Sequence, residues 1–396
     1  MNDEEHVKEI SYVMTLASYI HFLLTGEKVT GAGDASGIFP IQKNKDNSIQ
    51  YNENYQKLFE ELPEVSKRNI KINEIFPKIK NAGEEAGHLT KEGAKFLDPE
   101  GDLSSISLFC PPEGDAGTGM VATNAVKSGS GNISAGTSIF AMVVLEKNLK
   151  KSYPGIIDIV TTPDALSVAM VHANNCTGEL NCWVCFIKEA VETVTGINDI
   201  PLNTYYEKLI SKGQEADKDL GGLLSYNYLS GESITDFSSG RPLFVRSENA
   251  VFTLSNFMKS QMFACLASLR IGMEKLYDEN VKIKRMTGAG GYFKTKEGLD
   301  YMAAALQSRI DTMENSGEGG PWGMAILAIY ADYCKSEKSL SSKNPLTLGD
   351  FLAQKIFSKS KVISAEPKED FVQSFEIFLD RYKKGLAIEK AAVENL

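Results

Sequence analysis

The chain of 396 residues sets 42 Lys and Arg against 52 Asp and Glu, a formal charge of -10 at pH 7, so its long-range field repels nucleic acid and anionic lipid instead of collecting them. With 42% hydrophobic and 24% charged residues and a mean hydropathy of -0.19, it is a folding chain and not a disordered one, and its length calls for two or three domains. No apolar run reaches the roughly 18 residues of a membrane span, and the acidic start Met1 to His6 is unlike the basic start of a signal peptide, so a cytoplasmic location is expected.

Apolar residues at Val7, Ile10, Met14, Ala17, Ile20 and Leu24 recur at spacings of three and four, which predicts one helix from Val7 to Leu24 that Thr25-Gly-Glu then stops. Gly31 to Gly37 has the small-residue composition of a loop that turns sharply or approaches something closely. Residues 41 to 105 mix short helical pieces with Asn, Lys, Asp and Gly and read as peripheral. Ile106 to Cys110, Ile139 to Leu145, Ile156 to Thr161 and Ser167 to His172 are β-branched or apolar runs bounded by breakers, as strands are.

Helical periodicity returns from Thr253 to Leu276 and from Leu299 to Ile310, with a strand candidate from Val281 to Met286 between them. Gly213 to Arg246 reads as a long connection, and Phe371, Phe375, Phe378, Leu379 and Tyr382 mark a C-terminal amphipathic helix. Strands alternating with long helices predict an α/β chain. We divide it at residue 122, into domains of 1–122 and 123–396.

The chemistry concentrates in glycine-rich turns. In Pro111 to Gly119, Asp115 lies among Gly114, Ala116 and Gly117, where nothing bulky blocks the approach of a hydroxyl whose proton it could accept. The same Asp could instead cap a helix beginning at Ala116. Gly136, Thr137 and Ser138 occupy a hairpin position and read either as a phosphate cradle of backbone amides and hydroxyls or as an ordinary turn. Thr287 to Lys294 follows a strand and precedes a helix, where α/β proteins bind nucleotides, yet it has neither a G-x-G-x-x-G nor a Walker pattern. Ser316 to Gly323 opens an apolar helix, and its Trp322 could stack on a base or pack beneath the loop.

Six cysteines, three of them between 176 and 185, make no disulfide framework and fit a reducing compartment. Cys182-x-x-Cys185 could suggest zinc, but Trp183, Phe186, Ile187, Ala190, Val191 and Val194 predict an apolar helical face with the cysteines as small buried hydrophobes at its margin. No metal-binding residue is assigned.

Taken in order, these segments resemble the FGGY carbohydrate kinases, the family that includes xylulose and glycerol kinases, and look closest to a divergent bacterial xylulokinase-like branch. Leu24-Thr-Gly-Glu27 with Asp34-Ala-Ser36 is similar to the family's first-domain signature. Glu113-Gly-Asp115 resembles its catalytic aspartate segment, and Gly136-Thr-Ser138 its phosphate-binding turn. Gly288 to Gly291 and Glu318 to Gly323 resemble its adenosine segments.

The resemblance implies an actin-like, ribonuclease-H-like pair of domains closing over a cleft, with sugar held mainly by the first and ATP by the second. It implies Asp115 as general base toward a small sugar or polyol substrate. ATP would be held through Gly136, Thr137, Ser138, Gly288, Gly290, Gly291, Lys294, Glu318 and Gly319, with Mg2+ offsetting phosphate charge. Neither nucleic acid nor membrane is implied as a partner, and a homodimer is allowed. Family members begin with a strand carrying Asp-x-Gly-Thr that has no counterpart ahead of Val7, so the resemblance implies an incomplete first domain followed by a whole second one. Two readings without sugar phosphorylation stay open beside the kinase: an actin-like nucleotide-binding regulator and a sugar-binding module.

Overall fold

The computed structural model describes residues 5–46, 48–103, 106–313, 319–340 and 345–396. Two compact units are present. The first takes in 1–128, 159–168 and 318–359, and the second 129–158, 169–317 and 360–396. The division thus falls at 128, against 122 on the sequence reading, and two later segments fold with the first unit.

The first unit begins with a short 3-10 turn, Glu5–Glu9, and then α1, Leu16–Thr25. The single helix expected from Val7 does not form, because the Thr15 hydroxyl accepts the Ser18 N–H at 3.2 Å and so caps a helix that starts at Leu16. The face of α1 that is buried carries Ser18, His21, Leu24 and Thr25, while Leu16, Ile20 and Leu23 are exposed. The helix ends at Gly26, whose φ of 76° is the left-handed cap that glycine adopts without strain.

There follow β1 (Val29–Gly31), α2 (Ala32–Ile38), the hairpin β2 (Ile41–Lys43) and β3 (Ile49–Tyr51), α3 (Glu53–Glu60), β4 (Lys78–Lys80) and α4 (Lys91–Leu97). Strands β1 and β4 pair in parallel. Gly31 to Gly37, expected as a loop, is mostly the helix α2. Residues 106–110, expected as a strand, instead form one isolated bridge, Leu108 with His88. Next comes α5, Asp115–Ala122.

The second unit is built on a mixed sheet. The sheet's strands in chain order are β5 (Ser130–Ala135), β6 (Ile139–Val144), β7 (Asp158–Thr161), most of which is grouped with the first unit, and β8 (Ser167–Ala173). After α6 (Thr177–Thr195), α7 (Leu202–Lys212), the small hairpin β9 (Leu224–Tyr226) with β10 (Leu243–Val245), and α8 (Leu254–Asp278), the sheet resumes with β11 (Arg285–Ala289). Then come α9 (Lys296–Leu306), β12 (Ile310–Met313), the first unit's α10 (Gly319–Leu340), β13 (Val362–Ala365) and α11 (Glu369–Asn395). The order across the sheet is β13-β12-β11-β5-β6-β8-β7. β11 runs parallel to both β5 and β12, while β6 and β13 are antiparallel to their neighbours β5 and β12.

β12 was not expected: Ile310 reads as the last turn of a helix, but α9 stops at Gln307, which takes a φ of 49°, and the chain turns back into the sheet. The core of this unit is α8, which is buried on nearly all sides from Phe257 to Leu276, the condition of a helix surrounded by other elements. α6 corrects a second expectation. Its inward stripe is Leu180 and Val184, with Trp183, Ile187 and Val191 packed beside them, whereas Phe186, Val194 and both Cys182 and Cys185 are exposed. The stripe at 180, 184, 187 and 191 has the same helical spacing, rotated from the one read off the sequence.

Candidate functional site

In the first unit, Asp115 is the first residue of α5, entered through Gly114 as its N-cap. The cap of this helix is therefore glycine, and the capping role open to Asp115 on the sequence is not the one it has. Asp115 is exposed while Pro112, Glu113, Gly117 and Thr118 around it are buried.

Behind it lies a cluster that sequence reading did not assemble. Glu113 is buried and its two carboxylate oxygens accept the backbone N–H groups of Gly33, at 3.0 Å, and Asp34, at 2.9 Å. The Gly31 N–H donates to the Pro112 carbonyl at 2.8 Å. The turn before α5 is in this way tied to the first turn of α2. The Thr15 hydroxyl donates to the Asp34 carboxylate, whose Oδ1 lies 2.9 Å from where a side chain on Gly114 would start.

Charge and burial oppose each other here. Burial pushes the Glu113 carboxyl up to about 8, against the lowering effect of its two N–H donors. Asp34 is raised too, chiefly by burial, with the Thr15 hydroxyl opposing and the nearby Asp115 charge adding to the rise. Asp164, in the turn between β7 and β8, is raised by burial and accepts the Thr162 hydroxyl at 2.6 Å. Three carboxyls held toward the neutral form thus stand beside one that is exposed. The sequence signal for Glu113 is local, a lone Glu between Pro-Pro and Gly-Asp; that Gly31, Gly33 and Gly117 make room for it is visible only in the fold.

In the second unit, Gly136, Thr137 and Ser138 form the three-residue turn of the β5–β6 hairpin, closed by the Ala135 and Ile139 pair. The carbonyls of Gly136 and Thr137 are tied down from the start of α6: Thr177 donates its N–H, at 3.1 Å, and its hydroxyl, at 2.7 Å, to Gly136, and Cys176 N–H donates to Thr137 at 2.8 Å. Gly136 and Thr137 are exposed. The Gly136 N–H is taken within the turn by the Ser138 carbonyl, at 2.9 Å, so what the turn can present to an anion is the Thr137 and Ser138 amides and hydroxyls.

Thr177 links this turn to a cavity of about 250 Å³ whose floor is Leu180, Ile210, Met262 and Tyr292 and whose rim includes Asn203, Tyr206, Glu207, Gly291, Lys294 and Thr295. An apolar floor with a few polar groups is the usual form of a small-molecule pocket. The third glycine cluster divides at this point. Gly288 and Gly290 serve the fold: a Cβ on Gly288 would fall 2.5 Å from the Phe293 ring, and Gly290, with a φ of 102°, would bring one 2.4 Å from the Ala135 carbonyl. Gly291 is open and lines the cavity with Lys294. Thr177, on α6, was missed as a cavity residue because it is far in sequence from Asn203, Tyr206 and Glu207, which share one face of α7 at a spacing that reads equally as an ordinary solvated face.

Gly319 starts α10 with a φ of 43°, and no atom lies within 4 Å of where its side chain would begin. Glu318 lies outside the described residues. Among the described residues no group of three or more His, Cys, Asp or Glu could hold a metal ion, and no helix is long and apolar enough to cross a membrane.

The pattern of the "FGGY family of carbohydrate kinases, C-terminal domain" matches residues 131–331. A xylulose kinase of Haemophilus influenzae is 21% identical over 392 residues, which are 98% of this chain and 70% of that protein. Among solved structures, the xylulose kinase from Rhodospirillum rubrum superposes with a TM-score of 0.68 at 16% identity, over 96% of this chain and 68% of its own. The glycerol kinase of Plasmodium falciparum with ADP gives 0.65 at 15%, over 99% and 69%. These likenesses carry the fold, an α/β architecture of the actin-like, ribonuclease-H-like kind.

Proposed function

We propose, for a chain that belongs to the FGGY family of carbohydrate kinases, that its reaction is transfer of the γ-phosphoryl group of ATP to a hydroxyl of a small sugar or polyol, with Asp115 as general base and xylulose as the first substrate to test. In this reaction the acceptor oxygen bonds to the γ-phosphorus as the bond to the β-phosphate oxygen breaks, the hydroxyl proton passes to the Asp115 carboxylate, and ADP leaves. The observation that carries the reading is Asp115 itself: an exposed carboxylate at a glycine-entered helix start, in a turn otherwise buried and braced. A base must come within hydrogen-bond reach of the proton it takes, and the exposure of Asp115 leaves that approach open.

The nucleotide is assigned to the second unit. In the turn Gly136 to Ser138, Thr137 and Ser138 meet its phosphates through amides and hydroxyls, and the cavity lined by Gly291 and Lys294 receives its adenosine end, with Lys294 toward the anionic part. Gly288 and Gly290 act by shaping that wall. The cavity's apolar floor beneath a polar rim supports a flat apolar ring such as a purine as occupant. Magnesium is carried only as the counter-ion of the β- and γ-phosphates. The described residues offer it no cage, and a metal held largely by phosphates and water needs none.

Partners beyond the sugar and nucleotide are limited by the charge of -10. The cytoplasm, where ATP is abundant, is the proposed location, and a sizing measurement decides between a monomer and the homodimer that the resemblance allows. The test of the reaction is ADP release against a panel of ketoses and polyols. Stimulation by at least one of them is expected, and a flat response across the panel would remove the kinase reading.

A further inference from the structure

Asp115 is exposed, so neighbouring side chains do not bury it in place. What fixes it is the backbone at 112–115, and that segment is held by the side chain of Glu113. We infer that Glu113 is a positioning residue for Asp115: its carboxylate bridges the turn before α5 to the first turn of α2 and thereby sets where Asp115 presents its oxygen. The inference rests on Asp115 being the base.

The room made for this one carboxylate is specific. A Cβ on Gly31 would fall 2.3 Å from Glu113 Oε1, one on Gly33 2.6 Å from Oε2, and one on Gly117 3.0 Å from Oε2. Three glycines from two segments therefore surround it. Both oxygens are used, on the N–H groups of Gly33 and Asp34. Burying a carboxyl is costly where an apolar side chain of similar volume would fill the same space freely. Its two oxygens take one N–H donor each, which gives the acid a reason to be there that filling does not.

The bridge also reaches the second carboxyl at the site. By taking the Asp34 N–H, Glu113 fixes the residue whose carboxylate receives the Thr15 hydroxyl and lies against Gly114. Asp34 and Asp164 are the acidic groups that face Glu113. None of the three has the exposure of Asp115, so a supporting role is the one their positions allow.

The experiment compares the full-length chain with Glu113→Gln, Gly117→Ala and Asp115→Asn. ADP release is measured with the best sugar of the panel, and catalytic sites are counted by stoichiometric binding of a non-hydrolysable ATP analogue. In Glu113→Gln the amide nitrogen faces an N–H donor and one arm of the bridge is lost. Its kcat per counted site should fall on the order of 100-fold, the usual consequence of a small misplacement, with KM for ATP within about twofold.

Gly117→Ala crowds the same carboxylate without removing it and should lower kcat per site in the same sense by on the order of tenfold. It also answers the question should Glu113→Gln not fold. A kcat per site within about threefold of the parent in the variant that folds would overturn the inference, and so would a loss explained by fewer binding sites, which is the mark of a purely structural role. An active Asp115→Asn would instead remove the base, and the positioning role with it. An inactive Asp115→Asn beside an unimpaired Glu113→Gln would remove the positioning role alone.

Discussion

The Glu113 carboxylate accepts the backbone N–H of Asp34 at 2.9 Å, and Asp34 in turn accepts the hydroxyl of Thr15, so α2 is held from both sides by groups distant in sequence. This relationship gives the first unit a pH dependence of known sign. Burial raises the Glu113 carboxyl from 4.5 to about 8. Between those values the folded chain keeps a proton that the unfolded chain has released, so stability is greatest at the acidic end of the window and falls as pH rises through it. Glu113→Gln removes that dependence. The difference in unfolding free energy between about pH 5 and pH 8 should shrink by roughly 3 kcal/mol relative to the parent. Denaturant titrations at the two values check this, and an unchanged difference would mean that Glu113 is ionised in the fold throughout.

Gly290 and Gly291 are neighbours with opposite constraints. Gly290 has a φ of 102° and would place a Cβ 2.4 Å from the Ala135 carbonyl, while Gly291 has open space beside it. Gly290→Ala is expected to destabilise by about 2–4 kcal/mol through strain and backbone displacement. Gly291→Ala should stay within about 0.5 kcal/mol and instead raise KM for ATP, because Gly291 lines the cavity. Thermal unfolding and nucleotide kinetics on the two variants separate these effects. Equal stabilities would contradict the backbone account of Gly290.

The six cysteines divide by exposure. Cys182 and Cys185 are exposed on α6, whereas Cys110, Cys176, Cys265 and Cys334 are buried. A thiol reagent applied to the folded chain should therefore label Cys182 and Cys185 rapidly and the other four only on unfolding. Peptide mapping of the labelled chain reads the sites directly. Fast modification of Cys176 or Cys265 in the folded state would contradict the packing of the second unit around α8.

Much of this architecture was legible in the sequence, and the misses have physical reasons. The hairpin at 136–138, the long helix at 254–278 and the C-terminal helix were readable because strong periodicity and sharp breakers agree there. The apolar spacing upstream of Thr15 extends the predicted helix past its true start and masks a local cap signal, Thr15, whose hydroxyl takes the N–H of Ser18 three residues on. α2 was read as a loop because glycine disfavours helix in isolation, and the Glu113 carboxylate that receives its first N–H groups comes 79 residues later in the chain. Asp115 was visible in its glycine context, but the brace behind it was not, since spacing alone cannot show that Gly31, Gly33 and Gly117 surround one carboxylate.

The central claim is that Asp115 takes the proton of the acceptor hydroxyl. Asp115→Asn keeps the size of the side chain and removes its basicity, and its exposed position means that the fold should tolerate the change. The direct measurement is the rate of sugar-dependent ADP formation by Asp115→Asn and by the parent, with unfolding curves recorded on both. The account predicts a loss of at least about 100-fold in that rate, the contribution of a positioned general base, with coincident unfolding curves. A sugar-dependent rate equal to the parent's would contradict it.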